Sequence, residues 1–384
     1  MESTTYKVTK FEVPDRLNEP SRGMPIFQTF NQMKKFFEKT LGKVNFVQLH
    51  HAGRTDLKSK GKDICSSKPS YYLNLKDKPV TVLFVVIYQD AEMTLEEKHE
   101  YLMNEGIIPK THKKKWHFSP FYIYYPNMFQ ANYYSKILTF MHKNKPKINK
   151  LKVNPKKAQQ CKYCLSFGPP GQQIKLGCVV AQCGKFCSRK SSKMVDLYRD
   201  TETFCELCDV NSVFSPIYNK MEDFIAKVLP ATFETMKHAD SNGSDCLLGE
   251  KSNFRSRLFS SLFINSDYAS HAHHDSNNID SGVCGIANFY GESAEEKCQS
   301  HVIHNMIPST FELQSSHCYK ADGTPGGGIE SVGLFMDNAS LLVCCAATTL
   351  HGGSSVKLGS ICIPKRLSVI AVQHKNLSAP NHGN

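Results

Sequence analysis

The segment HAHHDSNN, residues 271–278, gathers three histidines, one aspartate and two asparagines into eight positions. Imidazole and carboxylate groups are the usual ligands of first-row transition metals, so the segment is a candidate metal site. In an extended chain successive side chains alternate, which places His271, His273 and Asp275 on one side and Ala272, His274 and Ser276 on the other. Geometry therefore divides the cluster and sets His274 apart. A further candidate ligand, His351 in TTLHGGSS, follows Asp275 by 76 residues. Two histidines and one carboxylate leave coordination positions open, the arrangement by which non-haem Fe(II) accepts a cosubstrate and O2. Arg366 follows His351 by 15 residues and begins the strand-like RLSVIAVQH. A double-stranded β-helix oxygenase needs a cation at that place to hold the far carboxylate of 2-oxoglutarate, and a guanidinium does so with two parallel hydrogen bonds.

A second group of potential ligands lies upstream. Cys161, Cys164, Cys178, Cys183, Cys187, Cys205 and Cys208 fall in under fifty residues and include the pairs CKYC and CELC. Each pair can supply two thiolates to a tetrahedral centre, so a structural Zn(II) module is expected, with the grouping of ligands left open. The other cysteines, Cys284, Cys298, Cys318, Cys344, Cys345 and Cys362, read as small buried apolar residues.

The elements that must position these groups change character along the chain. Residues 26–41 carry apolar positions at helical spacing, and VTVLFVVIY reads as a buried strand followed by an acidic helix, MTLEEKHEYLMNEG. After residue 210 a helical SPIYNKMEDFIAKVL precedes short strand-like runs: RLFSSLFINSDY, SGVCGIANFY, SHVIHNMI, STFELQ, SVGLFMD, ASLLVCCAATTL and RLSVIAVQH. Many short strands punctuated by Gly, Asn, Asp and Ser imply an antiparallel sandwich or barrel. The expected fold is mainly β with an α/β N-terminal part. Three regions follow: a basic α/β region over 1–158, the Cys-rich module over 159–210 and a double-stranded β-helix over 211–384.

The 384 residues carry 47 Lys and Arg against 35 Asp and Glu, a net charge of +12. Residues 1–157 hold 28 basic and 14 acidic groups, whereas the remainder holds 19 and 21. The positive excess is thus N-terminal, which suits a polyanionic partner such as nucleic acid. There the lysine-rich KTHKKKWHF and KNKPKINKLKVNPKK flank an aromatic FYIYYPNMFQANYY, a pattern that permits phosphate contact and base stacking, although a lone charge run is ordinarily a solvated face. His50, His51, His112, His117 and His142 fit no pattern and read as surface or locally hydrogen-bonded groups. The first residues lack an apolar signal core, and the longest apolar run is far too short to span a membrane. A soluble, monomeric, nuclear protein with reduced thiols is expected.

Several of these motifs together resemble the TET/JBP family of dioxygenases, which oxidise the methyl group of methylated pyrimidines in DNA. TTLHGGSSV followed by PKRLSVIAVQHKNLSAPNHG is similar to the end of the TET catalytic core, and HAHHDSNN to its HxHxDxxN segment. A weaker likeness runs through DCLLG, SPIYNKM and the cysteine-rich stretch, covering about residues 160–384. The resemblance implies that His273, Asp275 and His351 bind Fe(II), and that Arg366, Ser368 and His301 hold 2-oxoglutarate. It also implies that Cys246 and His271 join the zinc ligands, and that Asn278 and His374 hydrogen-bond a flipped base. The implied activity is oxidation of 5-methylcytosine in DNA to 5-hydroxymethylcytosine and beyond.

Two positions depart from the family pattern. Where the family has a base-stacking Tyr, two residues before the last histidine of the motif, stands Val372, and where it has a Thr across the pocket stands Phe263. Thymine, an RNA base or another methylated base therefore stays open as substrate, as does a zinc-dependent DNA-binding module with a vestigial oxygenase core.

Overall fold

The computed structural model describes residues 22–53, 69–76, 80–89, 116–144, 179–187, 194–196, 210–239, 256–259, 261–266, 270–275, 278–291, 301–321, 329–354 and 366–373. The elements, in chain order, are α1 (Phe30–Leu41), β1 (Val44–His51), β2 (Tyr71–Asn74), β3 (Thr81–Gln89), β4 (Trp116–Tyr125), α2 (Tyr133–Lys143), β5 (Val179–Cys187), β6 (Met194–Asp196), α3 (Val210–Val228) and α4 (Pro230–Ala239). They continue with β7 (Ser261–Ser266), β8 (Ser270–His273), β9 (Cys284–Tyr290), β10 (His301–His304), β11 (Met306–Pro308), α5 (Thr310–Leu313), β12 (Cys318–Lys320), β13 (Ser331–Phe335), β14 (Ser340–Cys344), β15 (His351–Gly353) and β16 (Arg366–Val372).

Two sheets face each other. The larger has the order β11-β1-β3-β4-β14-β9-β16-β7-β5-β6 and the smaller β12-β2-β13-β10-β15-β8. Within them, β7-β16-β9-β14 and β8-β15-β10-β13 exchange the chain back and forth, since β7 to β8, β9 to β10, β13 to β14 and β15 to β16 each cross between sheets. That path is a double-stranded β-helix, the jelly-roll expected from the run of short strands. The N-terminal strands β1, β3 and β4 extend the larger sheet from the β14 side, so residues far apart in sequence share one hydrogen-bonded layer.

Alternation sorts the side chains of the larger sheet between two cores. Leu262, Ala287, Phe289, Leu341, Val343, Leu367 and Val369 face the helices, against Phe37, Ile137, Phe214 and Met221. Cys284, Ile286, Leu342, Cys344 and Val372 face the barrel interior with Phe84, Tyr122 and Ile303. The layers are therefore helix, large sheet, small sheet. Helix α3 lies close because β9 offers Gly285, where a Cβ would come 2.8 Å from Met221 Sδ. Helix α1 starts on a reciprocal cap in which the Gln32 N–H donates to Thr29 Oγ1 and the Thr29 N–H to Gln32 Oε1, both at 3.2 Å. It packs Met33 and Phe37 inward.

Three expectations are corrected. STFELQ is not a strand: Ser309 caps α5, with the Glu312 N–H reaching its Oγ at 3.3 Å, and local capping outweighs the β-type residues there. The aromatic segment after the first lysine run is not a stacking surface, because Tyr122, Tyr124, Phe129, Tyr133 and Tyr134 are buried in the two cores. The run SHVIHNMI forms two strands rather than one. Asn305, with φ of 58°, breaks it and lets β10 pair in the small sheet while β11 pairs with β1 in the large one. Of the histidines read as surface or locally hydrogen-bonded groups, His117 is buried. The acidic helix MTLEEKHEYLMNEG and both lysine-rich stretches lie outside the described residues, apart from residues 116–118 at the end of the first and 143–144 at the start of the second.

Candidate metal centre

The small sheet brings the histidines together. β8 and β15 run antiparallel with His273 directly opposite His351, and their rings lie 4.5 Å apart by centroid. Asp275, two residues beyond His273, is held by its backbone N–H, which donates to the Ala346 carbonyl at 2.9 Å. Its carboxylate oxygens then face both rings: Oδ1 lies 3.5 Å from His273 Nε2 and Oδ2 lies 3.9 Å from His351 Nε2. One ligand atom from each residue falls within 4.8 Å of the others, the one such group of three among the described residues. β8 ends at His273, so strict alternation stops there: Ala272 is buried, whereas His274, which alternation set on the same side, is exposed.

The chemistry of the donor set fits a divalent metal. His351 Nδ1 lies 2.9 Å from the Thr349 carbonyl, which can only accept, so Nδ1 carries the proton and Nε2 presents its lone pair to the cluster. Burial, and then the adjacent His273, push the His351 pKa down to about 4, which keeps the ring neutral and able to ligate. Asn278 is buried beside them. Its Nδ2 donates to Asp275 Oδ2 at 3.4 Å, and its backbone N–H to the Asp275 carbonyl at 2.8 Å. The asparagine read from sequence as a base contact thus also braces the carboxylate. The side chain of His351 is 9% exposed, whereas those of His273 and Asp275 are 41% and 35% exposed, so the group opens on one side.

His301 on β10 stands on the closed side. Its ring stacks on that of His351 with centroids 5.7 Å apart and planes 11° from parallel, and its Nε2 lies 3.1 Å from the Tyr122 hydroxyl. Burial holds His301 well below its usual pKa, reinforced by His351 and then Arg366. Arg366 and Ser368, on β16 of the opposite sheet, are both buried and set two residues apart on one face. The structure therefore brings His301 and Arg366 into the same interior as the His273–Asp275–His351 group. Tyr122 was invisible in the sequence, where one tyrosine among FYIYY carries no distinguishing signal.

Val372 and Phe263 lie on the interior face of adjacent strands, Val372 opposite Ser261 and Phe263 opposite Ile370. They are diagonal neighbours rather than a facing pair. Cys183 and Cys187 lie on β5, which pairs with β7 at the far side of the large sheet. His271 lies on β8, two residues before His273. Cys161, Cys164, Cys178, Cys205, Cys208, Cys246 and His374 lie outside the described residues. Of the cysteines read as small buried residues, Cys284, Cys318, Cys344 and Cys345 are buried and unbridged, while Cys298 and Cys362 also lie outside the described residues. No described helix is long and apolar enough to cross a membrane.

No family model matches the chain. It is similar to the methylcytosine dioxygenase TET3 of Homo sapiens and of Mus musculus, in each case 44% identical over 46 residues, which is 12% of this chain and 3% of the relative. The match therefore spans only a small part of these relatives' length. Among solved structures, NgTET1 in complex with 5mC DNA aligns over 91% of this chain and 89% of that one, with a TM-score of 0.43 and 10% identity. OsALKBH1 aligns over 66% and 98%, with a TM-score of 0.27 and 10% identity. The epimerase SnoN aligns over 68% and 84%, with a TM-score of 0.29 and 10% identity. The jelly-roll is defined by the strand order of the two sheets. The chain resembles the TET dioxygenases over the short matched stretch.

Proposed function

We propose that the chain is an Fe(II)- and 2-oxoglutarate-dependent dioxygenase that oxidises the methyl group of 5-methylcytosine in DNA to 5-hydroxymethylcytosine and beyond. The observation that carries the reading is the meeting of His273, Asp275 and His351 at one open-sided point of a double-stranded β-helix, with buried Arg366 on the facing sheet. His273, Asp275 and His351 hold the metal in this reading. Arg366, Ser368 and His301 hold 2-oxoglutarate, the guanidinium by charge-assisted hydrogen bonds to the far carboxylate. Bound together, the metal and cosubstrate supply the oxidising power to hydroxylate a methyl group with O2, releasing succinate and CO2.

The protein's own part is position. The Thr349 carbonyl fixes the His351 tautomer, Asn278 braces Asp275, and His351 is the best shielded of the three ligands. A methyl group in a duplex reaches such a recessed site only if its base is flipped out, with Asn278 and His374 the residues assigned to hold it and basic surface the flanking phosphates. The cysteine module with Cys246 and His271 is assigned Zn(II), and the protein a nuclear, monomeric, DNA-bound state. A different methylated base, thymine or an RNA base, is the second reading, favoured by Val372 and Phe263 in place of the family's Tyr and Thr.

Incubation of the purified chain with Fe(II), 2-oxoglutarate and methylated duplex DNA, single-stranded RNA or thymine-containing DNA, followed by mass spectrometry of the digested nucleosides, tests both. Hydroxymethylcytosine from the first polymer is expected. Product from another polymer alone would select the second reading, and no succinate from any of them would overturn the enzyme assignment.

A further inference from the structure

Four residues directly opposite one another on adjacent strands form a polar row inside the barrel: Ser340 on β14, Asn288 on β9, Ser368 on β16 and Asn265 on β7. All four are buried, Ser340 and Asn288 completely. The next row along the strands, Leu342, Ile286, Ile370 and Phe263, is apolar, and Arg366 lies on the other side, two residues before Ser368. The Asn288 amide has a fixed sense. Its Nδ2 donates to the Ile286 carbonyl at 3.3 Å and lies 3.8 Å from Met336 Sδ, so half a turn about the side chain would set oxygen against oxygen. Asn288 Oδ1 meets no hydrogen-bond partner among the described residues, and neither do Asn265 Oδ1 and Ser340 Oγ. Each such buried polar atom opposes folding, and three in one row are expected where a ligand or its water completes them.

We propose that Asn288, with Ser340 and Asn265, is a specificity-determining subsite for the far carboxylate of the dicarboxylate cosubstrate, acting through bridging water beside Arg366 and Ser368. The inference rests on the 2-oxoglutarate reading above and adds residues which that reading does not use. Arg366 supplies the charge and the Ser368 hydroxyl a direct donor. A carboxylate oxygen and Asn288 Oδ1 are both acceptors and cannot bond to each other. A water that donates one O–H to each links them, and the Ser340 hydroxyl completes it by donating to the water oxygen, giving the three partners typical of buried water. A 2-oxo acid of the same length with a methyl group at that end leaves the acceptors unmatched and is rejected.

The test is the affinity of the full chain, loaded with Mn(II) as a redox-silent metal, for 2-oxoglutarate and for 2-oxopentanoate by titration calorimetry. The near-isosteric Asn288→Leu is expected to weaken 2-oxoglutarate about tenfold and to leave 2-oxopentanoate within about twofold, with thermal stability unchanged or raised. Ser340→Ala is expected to act in the same direction by about threefold, and decides the matter if Asn288→Leu fails to fold. Equal loss for both acids, or no loss of discrimination in either variant, overturns the subsite while leaving the cosubstrate assignment standing. A wild-type chain that binds the two acids equally, or neither, overturns that assignment itself.

Discussion

The imidazole of His301 lies parallel to that of His351 at 5.7 Å and is tethered from behind by the Tyr122 hydroxyl at 3.1 Å. Tyr122 is fully buried, and burial pushes its pKa far up, so the hydroxyl stays protonated and can donate to His301 Nε2. Tyr122→Phe keeps the ring packing against Phe84 and Phe121 but removes the tether. One lost hydrogen bond corresponds to about 1 kcal/mol, so 2-oxoglutarate affinity should fall roughly fivefold. Calorimetric titration and a thermal melt on the same sample distinguish the roles: unchanged affinity with a lowered melt would assign Tyr122 to packing alone.

Metal binding should depend on three residues in full and on a fourth in part. His273→Ala, Asp275→Ala and His351→Ala each remove a ligand, and Mn(II) binding followed by electron paramagnetic resonance should be lost in all three. Asn278→Ala leaves the ligands in place but frees the carboxylate it braces. Losses of about tenfold or more are usual for such supporting partners. Tight Mn(II) binding by Asp275→Ala would show that the metal sits elsewhere.

The metal group was legible in the sequence because its chemistry needs rare residue types, and strand alternation alone separated His273 and Asp275 from His274. Arg366 was legible for the same reason, as a cation at the start of an apolar strand. Tyr122, Asn265, Asn288 and Ser340 were not. Inside a barrel a polar residue alternates with apolar ones exactly as a solvent-facing residue would, and only the pairing of β14, β9, β16 and β7 shows that the row points inward. Nor could the sequence show that β1, β3 and β4 complete the same sheet as β14, since pairing over some two hundred residues leaves no local trace. STFELQ misled because its β-type residues were outweighed by the Ser309 cap.

Stability should depend on Glu222, a carboxylate with no role at the metal group. It is fully buried on α3 and accepts from the Arg257 N–H at 2.8 Å, the Leu258 N–H at 3.3 Å, Arg257 Nε at 2.9 Å and the Ser256 hydroxyl. It thereby pins the turn that leads into β7 to the helix layer. Glu222→Ala leaves these donors facing an apolar wall, and a loss of about 3 kcal/mol is expected from urea unfolding. Mn(II) affinity at a temperature where the variant is still folded should be unchanged. A loss below about 0.5 kcal/mol would show that water replaces the carboxylate at that turn.

Acid sensitivity should arise partly at His51, at the end of β1, opposite Met306 on β11. Burial, and then the neighbouring His50, lower its pKa from 6.5 to about 4. The unfolded chain takes up this proton near pH 6.5 and the folded chain only near pH 4, so between those values the unfolded state holds more protons. His51 therefore costs no stability above about pH 6.5, draws stability down as the pH falls through the window, and adds no further slope below about pH 4. The buried histidines His301 and His351 steepen the same decline in every variant. Comparison of wild type with His51→Asn by urea unfolding at pH 7.5 and pH 5 isolates the one group, since Asn does not titrate. Relative to wild type, the variant should gain stability on going from pH 7.5 to pH 5. An unchanged difference between the two proteins at both pH values would show that His51 takes up its proton without leaving the fold.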